Sequence, residues 1–353
     1  MADLVLKNCR VSENLTDIEI SDGKISKIGV SNLDGTDLKG KKVYPGLIDI
    51  HTHGLFGYDT MDGDKLSEMS KHLIKYGVTS YLPTTMTMDL KDIKKAISAE
   101  IPQNGSEVLG FHLEGPYISE KFKGSQNSKY IKNPDQNDFS EFNNIKMITL
   151  APELPGSKEF IRNSDAIISI GHTDCNYERA VSAIESGAKC LTHTFNAMPP
   201  LNHREPGPIG AAFSKNIFIQ VICDGVHIHP TVIKMLYKLF GKERMILISD
   251  SMRAAGLTDG KYTFGGQEIT VTNGIARTSY GAIAGSTSTL LDCVKKAVSF
   301  SIPESDAFYM ATKTPAALLN LNKGIIKVGF DADLIVLDDN LNLTRVIKNG
   351  KAV

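Results

Sequence analysis

Residues 218–250 read FIQVICDGVHIHPTVIKMLYKLFGKERMILISD, and the fold is decided there. The stretch opens on one apolar, β-rich run, FIQVICD, and closes on another, RMILISD. Between them Val232, Leu236, Leu239 and Phe240 form one stripe of a helix that begins at Pro230 and ends at Gly241. Strand, helix and strand in sequence make a βα unit. The same alternation runs back toward the N-terminus through VYPGLIDI, GVTSYLP, VLGFHLE, KMITLAP, AIISIGH and CLTHTF, with starts near 44, 77, 108, 146, 166 and 190. The spacing averages roughly 29 residues, the size of one such unit. DKLSEMSKHLIKYG repeats the helical stripe with Leu66, Met69, Leu73 and Ile74. Eight near-continuous apolar strands with helices between them predict an α/β fold, a parallel sheet covered on both faces and closed as a (β/α)8 TIM barrel.

Beyond strand eight, Leu257–Ala284 carries Asp259-Gly260, Gly265-Gly266 and Asn273-Gly274 and predicts a β-hairpin insertion. Helices over Ser286–Phe300 and Pro303–Leu321 are expected to finish the barrel. The first forty residues read differently, as short alternating pieces (LVLKNCRV, DIEISDGKISKIGV, DLKGKKV) with a turn at Asp22-Gly23. ADLIVLD and TRVIKNGKAV at the far end look alike, around Asp338-Asp339-Asn340 and Asn349-Gly350. Residues 1–43 and 323–353 are therefore expected to form one small β domain, a β-sandwich, beside a barrel of residues 44–322.

Composition narrows the function. The 353 residues carry 39 Lys and Arg against 40 Asp and Glu, a net charge of −1. No basic excess favours nucleic acid or an anionic membrane as partner. The start, MADLVLKNCR, lacks the basic and apolar regions of a signal peptide, and no apolar run reaches the roughly 18–20 residues of a membrane helix. Cys9, Cys175, Cys190, Cys223 and Cys293 are odd in number and show no CxxC spacing, which predicts reduced thiols in a cytoplasmic protein.

The reactive residues collect at strand C-termini, the active face of such a barrel. Strand one ends in His51-Thr52-His53, three in Glu114, five in His172 and eight in Asp250; strand six carries His193, and strand seven runs into Asp224 and His227. His51 and His53, two apart on a strand, project to one face. Together with Glu114, His172, His193 and Asp250 they form a nitrogen and carboxylate set without thiolate, suited to Zn, Fe(II) or Mn. His112, two residues before Glu114, is a candidate support. His72 reads as a surface residue, His229 as a helix cap and Cys223 as core.

PGLIDIHTHG, LGFHLEGPYI, ISIGHTDCNYERA, THTFNAMPPLNHREPG, CDGVHIHP and ISDSMRAAGLTDG, in this order, resemble the N-acetylglucosamine-6-phosphate deacetylases of the amidohydrolase superfamily. The resemblance implies hydrolysis of the acetamide of N-acetylglucosamine 6-phosphate to glucosamine 6-phosphate and acetate, in amino-sugar catabolism, with a sugar phosphate as the partner molecule. It makes Glu114, His172 and His193 the ligands of a principal divalent metal, with His51 and His53 offering a second position. Asp250 matches the catalytic aspartate and His227 the contact to the acetyl carbonyl. Arg204 and the Asn196-Ala197 pair match sugar-phosphate contacts; Ser125, Gln126 and Ile283-Ala284-Gly285 match further substrate positions. A homodimer is implied as well. One departure is Gln126, where many members carry His; an amide donates a hydrogen bond but brings no charge toward a phosphate. Two readings compete: an amidohydrolase for cyclic amides or N-acyl amino acids, opposed by Arg204 and the Asn196-Ala197-Met198-Pro199 loop, and a non-catalytic scaffold retaining the barrel, opposed by the presence of Glu114, His172, His193 and Asp250.

Overall fold

The computed structural model describes residues 2–353. Its centre is eight parallel strands, Leu47–Thr52, Val78–Thr85, Phe111–Glu114, Ile145–Leu150, Ile167–Ile170, Cys190–Leu191, Phe218–Ile222 and Met245–Ile248, here called barrel strands one to eight. Each pairs with the next in that order. The observed starts lie within three residues of the expected ones, because long apolar runs have no other place to bury both faces. Strands one and eight close the ring through residues at and beyond their ends. The N–H of Asp250 donates to the His51 carbonyl at 2.9 Å and that of His53 to the Ser251 carbonyl at 2.8 Å. Below these the seam is held by the fully buried Asp49 of strand one, whose carboxylate accepts from the hydroxyl of Ser249, just past strand eight, at 2.6 Å.

Two apolar cores flank the sheet. Leu66, Met69, Leu73, Ile233, Leu236 and Phe240 bury the helices against its outer face. Inside, Ile48, Ile50, Leu82, Met147, Cys190, Ile222, Ile246 and Ile248 meet in a separate cluster with Ala316 and Leu318 of the helix Lys313–Leu318, which plugs the N-terminal end of the ring. Above that plug the interior turns polar: His112 Nε2 lies 2.7 Å from the Thr149 hydroxyl, which continues to Thr192 at 2.7 Å and on to Ser169 at 2.6 Å.

Three local expectations are modified. The helix expected from Ser286 begins at Leu290, capped by Thr289, because Ser286 is still pairing with Ser251. The last expected helix is two, Glu304–Met310 and Lys313–Leu318. Pro315 has no N–H to return to the Ala311 carbonyl, and the Ile48 N–H takes that carbonyl at 2.9 Å instead. The insertion after strand eight has two turns and three antiparallel strands, Gly260–Phe264, Gln267–Thr272 and Ile275–Thr278, where one hairpin was expected. Its Phe264, Ile269, Val271 and Ala276 pack on Met86, Met252 and Ala254 and lay the meander across the barrel mouth.

The two chain ends form one sheet. Leu4–Val11, Asn14–Ser21, Lys24–Ile28, Thr36–Asp37 and Lys42–Pro45 join Leu334–Leu337, Leu343–Lys348 and Lys351–Ala352, with Tyr44 opposite Ile335 across the junction. The sheet rolls back so that Lys24 bridges to Asp331, and the expected sandwich is a single rolled sheet around Leu6, Ile18, Ile20, Ile25, Leu334 and Val336. Lys323 and Lys348 tie this lobe to the barrel. Each reaches Asp333 at 2.7 Å, and they reach Glu107, on a short strand beside barrel strand two, at 2.8 and 2.7 Å. Among the described residues no helix is long and apolar enough to cross a membrane.

Candidate active site

Glu114 is the last residue of strand three, and His51 lies in strand one with His53 just beyond it. His172, His193 and Asp250 each stand two residues past the end of their strand. All three adopt left-handed backbone, with φ of 46°, 24° and 46°, a conformation costing about 1–2 kcal/mol for a residue with a Cβ. That kink turns each side chain over the barrel mouth, where Glu114 occupies the middle. Its Oε1 lies 2.9 Å from His193 Nε2, 3.2 Å from His172 Nε2 and 3.3 Å from His51 Nε2; its Oε2 lies 3.4 Å from His53 Nε2. Asp250 Oδ1 faces His53 at 3.2 Å and His51 at 3.5 Å. Two overlapping groups result, His51–His53–Glu114 and Glu114–His172–His193, with all members buried.

The four imidazoles are oriented from behind. Nδ1 of His53 meets the Thr84 carbonyl at 3.1 Å, that of His172 the Phe122 carbonyl at 2.9 Å and that of His193 the Asn196 carbonyl at 3.2 Å; His51 Nδ1 meets Gln220 Oε1 at 3.0 Å. A carbonyl oxygen only accepts, so each Nδ1 carries the hydrogen and each Nε2 presents a lone pair to the centre. These lone pairs crowd one another, at 3.1 Å between His172 and His193 and 3.3 Å between His51 and His53. Facing lone pairs around two carboxylates are repulsive unless a cation sits among them, and the donor set is one a divalent metal accepts. The carboxylates favour positive charge at this centre in its protonation equilibria as well, carried there by a proton on Nε2. Burial opposes charge on His53, yet Asp250 and Glu114 outweigh it and lift its pKa to about 10. Burial likewise opposes ionisation of Glu114, and the charges of His172 and His51 reverse the effect and hold it well below the usual carboxylate range.

A cavity of about 260 Å³ opens beside this centre. Ser125, Gln126, Asn196, Ala197, His227, Ile283 and Gly285 line it together with His53, Glu114, His172, His193 and Asp250. Two expected contacts are absent from its wall. Ala284 turns its side chain into the core under the meander, and its N–H donates to the Ala276 carbonyl at 3.1 Å. Arg204 is exposed on its loop, and its guanidinium has no hydrogen bond or ion pair among the described residues.

Some functional relationships escaped sequence reading. Asp224, grouped with the reactive residues but given no role, holds His227 Nδ1 with its Oδ2 at 2.7 Å; the i, i+3 spacing in DGVH was the available signal. Gln220 orients His51, and Phe264 of the meander stands edge-on to His53, with ring centres 5.1 Å apart. Neither has a local signature. His112, open to either a supporting or a purely structural role, packs its ring edge-on to His51 at 4.6 Å with its Nδ1 on the Ile50 carbonyl. His229 caps the helix Pro230–Phe240, accepting from the Thr231 N–H. His72 is half-buried and stacked on Phe56.

Comparison with known proteins places this geometry. The model of the amidohydrolase family matches residues 43–353. The chain belongs to that family. Among similar amidohydrolases, N-acetylglucosamine-6-phosphate deacetylase of Bacillus subtilis is 36% identical over 361 residues, covering 94% of this chain and 91% of its own. N-acetylgalactosamine-6-phosphate deacetylase of Escherichia coli O157:H7 is 32% identical, covering 95% and 93%. The crystal structure of N-acetylglucosamine-6-phosphate deacetylase from Thermotoga maritima superposes with a TM-score of 0.90 at 32% identity, covering 99% of each chain. In this amidohydrolase the candidate metal ligands, the acid–base candidate and the cavity thus share one end of one barrel.

Proposed function

We propose that the protein hydrolyses the acetamide of N-acetylglucosamine 6-phosphate to glucosamine 6-phosphate and acetate in amino-sugar catabolism. The carrying observation is the convergence of Glu114, His172 and His193 with Asp250 at the floor of a cavity whose wall holds Ser125, Asn196, Ala197, His227 and Ile283. Glu114, His172 and His193 would hold the principal ion, and His51 and His53 with Glu114 would offer a second position; Zn, Fe(II) and Mn suit these donors. A divalent metal there supplies Lewis acidity, polarising the amide carbonyl and lowering the pKa of the attacking water. Asp250 takes the proton of that water and returns it to the leaving nitrogen. Burial raises the Asp250 pKa less than His51 and His53 lower it, to about 2, so the carboxylate enters the cycle as a base. His227, with Nδ1 spent on Asp224, turns Nε2 to the cavity and stabilises the oxyanion, a contribution of about 3 kcal/mol for one good donor.

Arg204 supplies the phosphate contact. Its exposed position outside its own chain's cavity, three residues beyond the exposed Leu201, supports a homodimer in which the loop is completed by a second copy. The proposed division into a lobe of residues 1–43 with 323–353 and a barrel of 44–322 falls inside the strand Lys42–Pro45, whose pairing with Leu334–Leu337 carries the lobe sheet on to Pro45. Five buried, unpaired cysteines support a cytoplasmic setting. The deciding experiment is acetate release from N-acetylglucosamine 6-phosphate with and without chelator, run beside the N-acetylgalactosamine epimer and an unphosphorylated N-acetyl sugar. No release from either phosphate ester by metal-loaded protein overturns the reading.

A further inference from the structure

Gln126 lines the cavity, yet its side chain is satisfied from within the chain. It is 2% exposed. Its Oε1 accepts from the backbone N–H of Thr87 at 2.7 Å, and its Nε2 donates to Glu114 Oε2 at 2.5 Å, with Met86 Sδ at 3.7 Å from the same nitrogen. These partners fix the amide's orientation. A flipped amide would set NH2 against the Thr87 N–H and a carbonyl against a carboxylate, losing both bonds and adding two repulsions.

The arrangement depends on the turn beside Glu114. Gly115 has a φ of +79°, and a Cβ there would fall 2.1 Å from the Thr87 hydroxyl. Only glycine lets the Thr87 segment, which follows barrel strand two, close on the end of strand three. Gln126 then bridges the two. By taking Oε2, it sets the plane of the Glu114 carboxylate so that Oε1 faces His172 and His193.

We infer that Gln126 is a positioning residue that locks Glu114 in its metal-ligating orientation, and is not a contact for the sugar. The inference rests on the metal-centre reading above. Gln126 donates through a neutral amide, so it orients the carboxylate without adding charge next to the ion. Loss of an outer partner of this kind weakens metal binding about 10–100-fold.

The test compares wild type with Gln126→Met, of similar length but without donor or acceptor, and with Gln126→Asn, one methylene too short to span both partners. Zinc is titrated calorimetrically into chelator-stripped protein, and steady-state kinetics are measured at saturating and limiting zinc. Zinc Kd should weaken about 10–100-fold in both variants, kcat should fall at limiting zinc and recover with added zinc, and KM should stay within about twofold. An unchanged zinc Kd with a raised KM overturns the inference and makes Gln126 a substrate contact. Gln126→Asn carries the comparison if Gln126→Met fails to fold. Failure of wild type itself to bind zinc or release acetate refutes the parent reading instead, and is told apart by that control.

Discussion

Asp224 Oδ2 lies 2.7 Å from Nδ1 of His227, and the same carboxylate's other oxygen accepts the His227 backbone N–H at 2.9 Å. The pair is nearly shut off from water, with both side chains 6% exposed. Burial works against a charged imidazole, but the hydrogen bond and charge of Asp224 outweigh it and raise the His227 pKa above its ordinary value. An imidazole whose Nδ1–H is spent can donate through Nε2 only while protonated, so the oxyanion contact is a property of the pair.

Asp224→Asn keeps an acceptor for Nδ1 and removes the charge. The His227 pKa should fall, and because the charged form is lost as pH rises through that value, the alkaline limb of kcat/KM should move to lower pH. The loss at pH 8 should be about tenfold and smaller at pH 6, below the roughly 10²–10³-fold cost of deleting an oxyanion donor outright. A pH–rate profile of unchanged shape would detach Asp224 from catalysis.

Asp250→Asn should retain zinc and bind substrate while turnover falls to background, since the amide cannot take a proton from water. Calorimetry and acetate release on the same preparation check both halves. Turnover like wild type in metal-loaded protein would assign the base elsewhere.

The two half-sites are predicted to be unequal. His193→Ala should abolish tight zinc binding and activity together. The double change His51→Ala, His53→Ala should bring the metal content toward one ion per chain and leave measurable deacetylation. A double variant that keeps one ion yet is as inactive as His193→Ala would make the His51/His53 position catalytic.

Arg204→Ala should raise KM for the phosphorylated substrate by one to two orders of magnitude, as expected for a charged hydrogen bond worth about 1.5–3 kcal/mol. An unphosphorylated N-acetyl sugar should be hardly affected. Equal losses on both would show that Arg204 shapes its loop and does not hold phosphate.

Glu107 predicts an acid-sensitive joint between lobe and barrel. Burial raises its pKa, but Lys348 and Lys323 more than compensate and hold it below its ordinary 4.5. A depressed carboxylate contributes stability that is complete above its unfolded pKa and is lost as pH falls through the lower folded value. Glu107→Gln should therefore lower the melting temperature by roughly 1–3 °C at pH 7, with the difference shrinking below pH 4.5. A pH-independent difference would assign the effect to packing.

The barrel was legible because each strand is a run that only a doubly covered sheet can bury, and the candidate ligands because so many His and carboxylate residues fall at the ends of such runs, Glu114 above all having little packing reason to be there. What the sequence withheld depends on partners distant along the chain. Nothing near Gln220 announces that it orients His51, and nothing near Phe264 that the meander lays it on His53. The division at Thr312 hinged on one carbonyl being claimed by Ile48 across the barrel. Arg204 and Ala284, inferred from resemblance, are the two expected contacts that a single chain does not bring to its own cavity.

The rolled lobe sheet pairs Lys42–Pro45 with Leu334–Leu337. During synthesis its first five strands emerge early and wait for partners that are translated only after the whole barrel, a delay on the order of tens of seconds at about 5–20 residues per second. Until then Ile18, Ile20 and Ile25 lack the Leu334 and Val336 side of their core. For that interval the N-terminal strands are open to off-pathway strand pairing, and a chaperone that shields them would act before the candidate metal ligands have found their places.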